Sequence, residues 1–332
     1  MRARFALPLV FALALAAGAA QAQTAHDHHD HAGMTMPAPA KAPPRQPGQP
    51  PLYTADDLAF LQSMIMHHQQ AVAMGALMEG RAEHPELIRF AGLVADAQRA
   101  EIAAMQGLLN LAAARGLAAP GRHMHGDPPM AGMLSQAEMS ALAAAKGPAF
   151  ERLWLKGMMF HHEGGLAMAR AQELRQALDG RQPDQLAVMV DDILVTQRAE
   201  IGIMNNWLTS WGLAQAGDRR APAVEVQSPA PDAAVRVGKP LTVFGVAVDD
   251  SGIAGVEATV HDLDKDRWLR RDGTWGARET RSADLVGSGP SSAAWRLDFT
   301  PPSPGRYAVT VEATDAAGKR APAAEAWTVE AR

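Results

Sequence analysis

The sequence predicts a chain of two classes, a duplicated all-α region closing as a four-helix bundle and then an all-β region. Three observations carry this reading. Apolar residues recur at helical spacing from Thr54 to Trp211, between capping and breaking signals. Within that stretch the chain repeats itself. After Pro222 the texture changes to alternating apolar positions, such as Leu241-Thr242-Val243-Phe244 and Tyr307-Ala308-Val309, separated by Gly, Pro, Asp and Ser turns.

The 332 residues suffice for two ordinary domains. Residues 1–22 read as a secretory signal peptide: Arg2 and Arg4 make a basic start, an apolar run follows from Phe5 to Ala17, and Ala20-Gln21-Ala22 is a small-x-small cleavage site. No later stretch approaches the roughly 20 apolar residues of a membrane span. A soluble periplasmic or secreted protein is therefore expected. The chain has no cysteine, which excludes a lipidated thiol, disulfides and thiolate ligands, so any soft metal ligand has to be methionine. Without Arg2 and Arg4 there remain 29 basic against 36 acidic residues, a balance that argues against nucleic acid.

Residues 23–51 are poor in apolar residues and rich in Pro, Ala and His, a disordered tail in which His26, His28, His29 and His31 can take up metal. Thr54-Ala55-Asp56-Asp57 opens the first helix, with a capping hydroxyl and acids suited to its N-terminus. That helix is expected to run to about Gly80. Pro85 opens a second helix that reaches Ala114 before Gly116 and Pro120. A loop with His123, Met124, His125, Met130 and Met133 follows as a possible auxiliary metal site. Ser135-Gln136-Ala137-Glu138 is a capping box for a short helix. Two long helices fit residues 149–179 and 184–211. The domains are thus 52–217, helical and metal-binding, and 222–332, all-β. Residues 222–332 hold no methionine and one histidine, His261, so metal chemistry is confined to the first half. His84 and His261 are expected at the surface.

The repeat is the strongest signal. Met64-Ile65-Met66-His67-His68 with Met74 recurs 94 positions later as Met158-Met159-Phe160-His161-His162 with Met168. Gln98-Arg99-Ala100-Glu101-Ile102 with Met105 recurs 99 positions later as Gln197-Arg198-Ala199-Glu200-Ile201 with Met204. Two copies of a helix pair close a core economically as a four-helix bundle. At about 100° per residue, Leu61, Met64, His68, Ala71 and Met78 line the centre of the first apolar face, with His67 and Met74 at its edge. In the second helix Gln98 and Glu101 interrupt an apolar seam of Val94, Met105 and Leu108, and Gln197 and Glu200 do the same among Ile193, Met204 and Trp207. A buried carboxylate needs a partner, and a histidine on the facing helix would supply one.

A methionine at helical spacing is usually core filler. Here His-His, the flanking methionines and Gln-x-x-Glu-x-x-x-Met recur together. Thioether and imidazole suit copper(I) and silver(I), and methionine in an oxidising compartment avoids the disulfide chemistry that consumes a thiol. Zinc is disfavoured by the lack of Cys and of His-Glu-x-x-His. A ferritin-like di-iron oxidase would need repeated Glu-x-x-His, which is missing.

Between Leu52 and Leu213 the chain resembles the domain-of-unknown-function family 305, which includes CopM-like periplasmic copper-binding proteins. The resemblance rests on Met64-x-x-His67-His68, Met130-x-Gly132-Met133, Trp154-Leu155-x-x-Met158, His161-His162-Glu163 and the two Gln-x-x-Glu-Ile-x-x-Met segments. It implies a ferritin-like four-helix fold and a part in copper binding or tolerance. Carried over by position, it implies Met64, His67, His68, Met74, Met105, Met158, His161, His162, Met168 and Met204 as metal ligands, with Gln98, Glu101, Gln197 and Glu200 behind them. The C-terminal region resembles a bacterial immunoglobulin-like or fibronectin-like sandwich, in phrases such as Asp249-Asp250-Ser251-Gly252-Ile253 and Pro304-Gly305-Arg306-Tyr307. Its Trp268, Trp275, Trp295 and Trp327 are expected in the core or on a sheet face.

The resulting expectation is a copper(I)- or silver(I)-binding protein without catalysis, which buffers metal or exchanges it with a periplasmic exporter or acceptor protein. Two alternatives remain open: a cell-envelope interaction protein whose sandwich binds a partner, and a ferritin-like metal oxidase.

Overall fold

The computed structural model describes residues 53–117, 130–180, 184–213, 220–288, 291–321 and 326–332. The leader, the histidine tail and the His123-Met124-His125 segment lie outside the described residues. Five helices come first: α1 (Ala55–Gly75), α2 (Pro85–Ala114), α3 (Gln136–Ala144), α4 (Gly147–Leu178) and α5 (Gln185–Ser210). Among the described residues no helix is long and apolar enough to cross a membrane.

The helix starts follow from local chemistry. Thr54 and Asp57 form a reciprocal capping box on α1, and Ser135 and Glu138 form one on α3. Asp184 caps α5 through the Ala187 amide, and α2 and α4 open with proline in their first turn. The first helix is shorter than its sequence suggests. It stops at Gly75, and the following turn carries Met78 into the core before Pro85 starts the return helix. α1 packs on α2, α4 on α5, and α1 on α4. Their shared core takes in Leu58, Leu61, Met64, Met74, Leu87, Val94, Met105, Phe150, Trp154, Met158, Met168, Ile193 and Met204.

The described residues that follow the helices are all β. One sheet has the order β1 (Ala223–Ser228), β3 (Leu241–Val248), β9 (Ser292–Phe299), β8 (Asp284–Ser288). The other runs β2 (Ala233–Val235), β11 (Trp327–Ala331), β10 (Gly305–Asp315), β4 (Ile253–Asp262), β5 (Arg267–Leu269), β6 (Trp275–Gly276), with β7 (Arg281–Ser282) paired to β4. Neighbouring strands are antiparallel except β2 and β11. Inward positions of both sheets, among them Val243, Trp295, Leu297, Val260, Tyr307, Val309 and Val311, make a second core. At the start of β10 the Tyr307 hydroxyl donates to the Ser303 carbonyl at 2.8 Å.

The two regions share a face. α4 lies against β3 and β9, and Val246, Val248 and Ala294 of those strands are buried in the helical core rather than the β core. Polar ties reinforce the contact. Ser292 donates to Glu163 on α4 at 2.8 Å, and Asp56 in the first turn of α1 accepts from the Ser228 hydroxyl at 2.7 Å and the Ala230 amide at 2.9 Å. With a sheet on one side and helices on the other, α4 is buried around most of its circumference.

Where α1 meets α4, Asp57 is fully buried and paired with Arg175, while the Gln172 amide donates to it at 2.7 Å. Burial pushes the Asp57 carboxyl up, but the Arg175 charge and the hydrogen bonds from Thr54, Arg175 and Gln172 outweigh it and hold the group below its ordinary value. A depressed carboxyl contributes stability that is present above its unfolded value, about pH 4, and lost as pH falls through the folded one. Asp57→Ala removes the buried partner of Arg175, leaves it only the more exposed Asp179 at 3.4 Å, and is expected to cost about 3 kcal/mol. Urea denaturation at pH 7 checks this, and repeating it below pH 4 should shrink the difference from wild type.

Candidate metal centre

The repeated motif puts His67 and His68 on α1 and His161 and His162 on α4, and all four imidazoles are fully buried. Adjacent residues on a helix are about 100° apart, so each pair spreads two rings over neighbouring sectors. His68 reaches α2, where its Nε2 meets Glu101 at 2.5 Å. His162 reaches α5, where its Nε2 meets Glu200 at 2.6 Å. The seam carboxylates of the two copies therefore receive the histidine partners they need. His67 and His161 turn instead toward each other, ring centroids 3.7 Å apart, between the two copies. His67 and Met74, placed at the edge of the apolar face by the helical wheel, are wholly interior because α4 covers that side.

The hydrogen positions follow from the partners. A carboxylate or carbonyl oxygen accepts, so the ring hydrogen of His68 and His162 sits on Nε2, as it does in His161, whose Nε2 donates to the His67 carbonyl at 2.7 Å. In all three rings Nδ1 is buried and without a hydrogen bond. Both ring nitrogens of His67 lack a well-formed hydrogen bond, as do Oε1 of Gln98 and the whole amide of Gln197. A Cβ on Gly165 would fall 2.4 Å from Gln197 Oε1, so this glycine makes room for that amide against α4. Buried polar atoms are nearly always satisfied; the lone-pair acceptors among these atoms suit a cation, whereas the Gln197 Nε2 amide and the ring N–H of His67 call for an acceptor.

Met64 and Met158 lie one turn before His68 and His162, and Met105 and Met204 one turn after Glu101 and Glu200. All four are fully buried in the same core, together with Met74 and Met168. The Met74 carbonyl accepts from the Trp154 indole at 3.1 Å. Among the described residues, no three His, Cys, Asp or Glu side chains gather as a site on their own. The donor set available here mixes imidazole with thioether. Met130 and Met133 are half-buried just before α3.

Two residues that the sequence reading passed over belong to this environment. Glu163, next to His162, is buried and tied to Ser292. Gln70 on α1 exchanges two hydrogen bonds with the backbone of Leu134, at 2.7 and 2.9 Å. His84, expected at the surface, is half-buried: its Nδ1 meets the buried Glu151 at 2.8 Å and its ring stacks on Trp211 at 3.9 Å. That arrangement locks the α1–α2 turn onto α4 and plays no part in the histidine core. His261 stacks on Trp268 in the β region, as a partly exposed pair.

Burial, and then the neighbouring imidazoles His161, His68 and His162, push His67 well below the ordinary histidine range. Burial, and then His162 and His68, do the same to His161. Both rings stay neutral where the unfolded chain already takes up protons, so folding stability is full above about pH 6.5 and declines as pH falls from there toward the folded values. Nitrogen-correlated NMR at pH 5.5 should find His67 and His161 neutral. The melting temperature should fall from pH 7 to pH 5.5, with a smaller fall in His67→Gln; protonated rings at pH 5.5 would contradict this geometry.

With the site in view, the chain can be compared with known proteins. The profile of the family described as a domain of unknown function, DUF305, matches residues 57–181. A DUF305 protein from Streptomyces coelicolor is 30% identical, over 50% of this chain and 99% of its own, with a TM-score of 0.42. A DUF305 fragment from Deinococcus radiodurans is 28% identical, over 51% of this chain and 99% of its own, with a TM-score of 0.40. CopM in its Cu(I)-bound form is 28% identical, over 48% of this chain and 98% of its own, with a TM-score of 0.37, and CopM has also been solved in Ag-bound and Cu(II)-bound forms. A comparison with curated proteins finds no match. On the family match through its helices and the identity to a solved member, the chain belongs to the DUF305 family.

Proposed function

We propose that this is an exported copper(I)- or silver(I)-binding protein that buffers or hands on metal and performs no chemistry on it. The observation that carries the proposal is the state of the histidines. A metal-bound imidazole generally gives its second N–H to a carboxylate or carbonyl. His68, His162 and His161 already do so, through Glu101, Glu200 and the His67 carbonyl, each with a bare Nδ1 in a methionine core. The two copies form two half-sites: Met64, His68 and Met105 in one, Met158, His162 and Met204 in the other. His67 and His161 lie between them. Soft thioethers with imidazole favour monovalent copper and silver over harder ions; CopM, to which the chain is similar, has been solved with Cu(I) and Ag, and also with Cu(II).

The same proposal takes the helical region as a duplicated ferritin-like bundle and the β region as an immunoglobulin-like sandwich. The strand order β1-β3-β9-β8 facing β2-β11-β10-β4, with Tyr307 bonded back to Ser303, supports the latter. Export to the periplasm or beyond rests on residues 1–22. The histidine tail and the loop around His123-Met124-His125 serve as outer metal-collecting segments, and the acceptor is an exporter or another metal-binding protein of that compartment.

Anaerobic copper(I) titration of the full mature chain against a competing chelator tests this. Glu101→Gln with Glu200→Gln should weaken binding about 10–100-fold, the range expected when outer partners of ligand histidines are changed. His68→Ala with His162→Ala should abolish the tight phase, while alanines at His26, His28, His29 and His31 leave it in place. Tight binding that survives loss of His68 and His162 would overturn the assignment.

A further inference from the structure

Residues 130–134 cross α4 as a strap directly over the histidine motif. Gly132 has φ +85°, and a Cβ there would lie 2.5 Å from the Gly164 Cα and 3.1 Å from the His161 carbonyl oxygen. A Cβ on Gly164 would lie 2.4 Å from the Ala131 carbonyl. Backbone thus rests on backbone, which only this pair of glycines permits. Ala131 and Leu134 are buried in the helical core, and the backbone of Ala131 lies beside His67. The strap covers the place where His67 and His161 meet.

Its two ends are held differently. Leu134 is fixed from within the helical region by the two hydrogen bonds with Gln70. Ala131 is held from the β region: its amide donates to Glu225 Oε2 of β1 at 3.2 Å, across 94 positions of sequence. Glu225 is in turn set by the pairing of β1 with β3, opposite Val246, which is itself buried in the helical core.

We propose that Glu225 is the latch of this strap, so that the β region governs access to the buried histidine pair and, given the metal-binding reading above, the rate at which ions exchange. A hydrogen bond to a charged acceptor is strong enough to shift an opening equilibrium about tenfold. Loss of the latch changes how often the strap opens, not the ligands beneath it. Rates therefore change while equilibrium affinity does not. Glu225→Gln keeps an oxygen acceptor and retains most of the closure.

The test uses the full mature chain in two arms. In the first, metal-free protein reacts with diethylpyrocarbonate, and modification of His67 and His161 is followed by mass spectrometry, with His261 as internal reference. Glu225→Ala should speed labelling of the pair about tenfold with His261 unchanged, Glu225→Gln should stay near wild type, and the melting temperatures should agree within a few degrees. In the second, copper(I) transfer from loaded protein to excess chelator should accelerate by a similar factor, with competition equilibria unchanged within about threefold. Should Glu225→Ala fold poorly, Gln70→Ala opens the other end and is expected to act in the same direction. Equal labelling in folded Glu225→Ala and wild type overturns the latch. Faster labelling in a protein that binds no copper(I) upholds the latch and removes the metal reading. Tight copper(I) binding with unaltered transfer rates overturns the role in exchange.

Discussion

Taking imidazoles out of water into an apolar core is costly unless their polar groups find partners, and three of the four here, His68, His162 and His161, find one in Glu101, Glu200 and the His67 carbonyl. The helical region is arranged around that constraint. Glu101 and Glu200 sit where the second helix of each pair faces the His-His motif of the first. In those three rings Nδ1 is left without a hydrogen bond, in a core that also holds Met64, Met105, Met158 and Met204. Under the proposed function, an ion on those nitrogens would complete what the glutamates begin. Duplication supplies the second half and brings His67 against His161.

The β region is more than an appended module. β3 and β9 cover α4 with Val246, Val248 and Ala294, and Glu163, Asp56 and Glu225 tie across the junction. α4 carries the second His-His motif, so the sheet forms part of the wall behind it. The two helices that carry the motif are backed unequally: α4 lies along β3 and β9, whereas α1 meets β1 and ties to Ser228 and Ala230 through Asp56.

Much of this was legible in the chain. Capping boxes at Thr54 and Ser135, Pro85 at the start of α2, and the switch to alternation after Pro222 are local signals and placed the elements correctly. The seam glutamates were expected to be buried and to take histidine partners; the partners are present, while Glu101 and Glu200 themselves stay partly exposed. What escaped the sequence depends on contacts between distant segments. His67 and Met74 looked peripheral because a helical wheel knows nothing of the neighbour that will cover the edge. His84 looked exposed because its partners, Glu151 and Trp211, lie far along the chain. The strap was invisible for the same reason, although Gly132 and Gly164 are the residues a close backbone crossing requires.

The central claim is that the bare imidazole nitrogens and the thioethers of the core meet the same ion. X-ray absorption at the copper edge, on the full mature chain loaded anaerobically after replacement of the tail histidines, tests it most directly. The account predicts a mixed shell of sulfur and imidazole nitrogen, with the imidazole scattering lost in His68→Ala with His162→Ala. A shell of nitrogen and oxygen alone, or one unchanged by those substitutions, would contradict it.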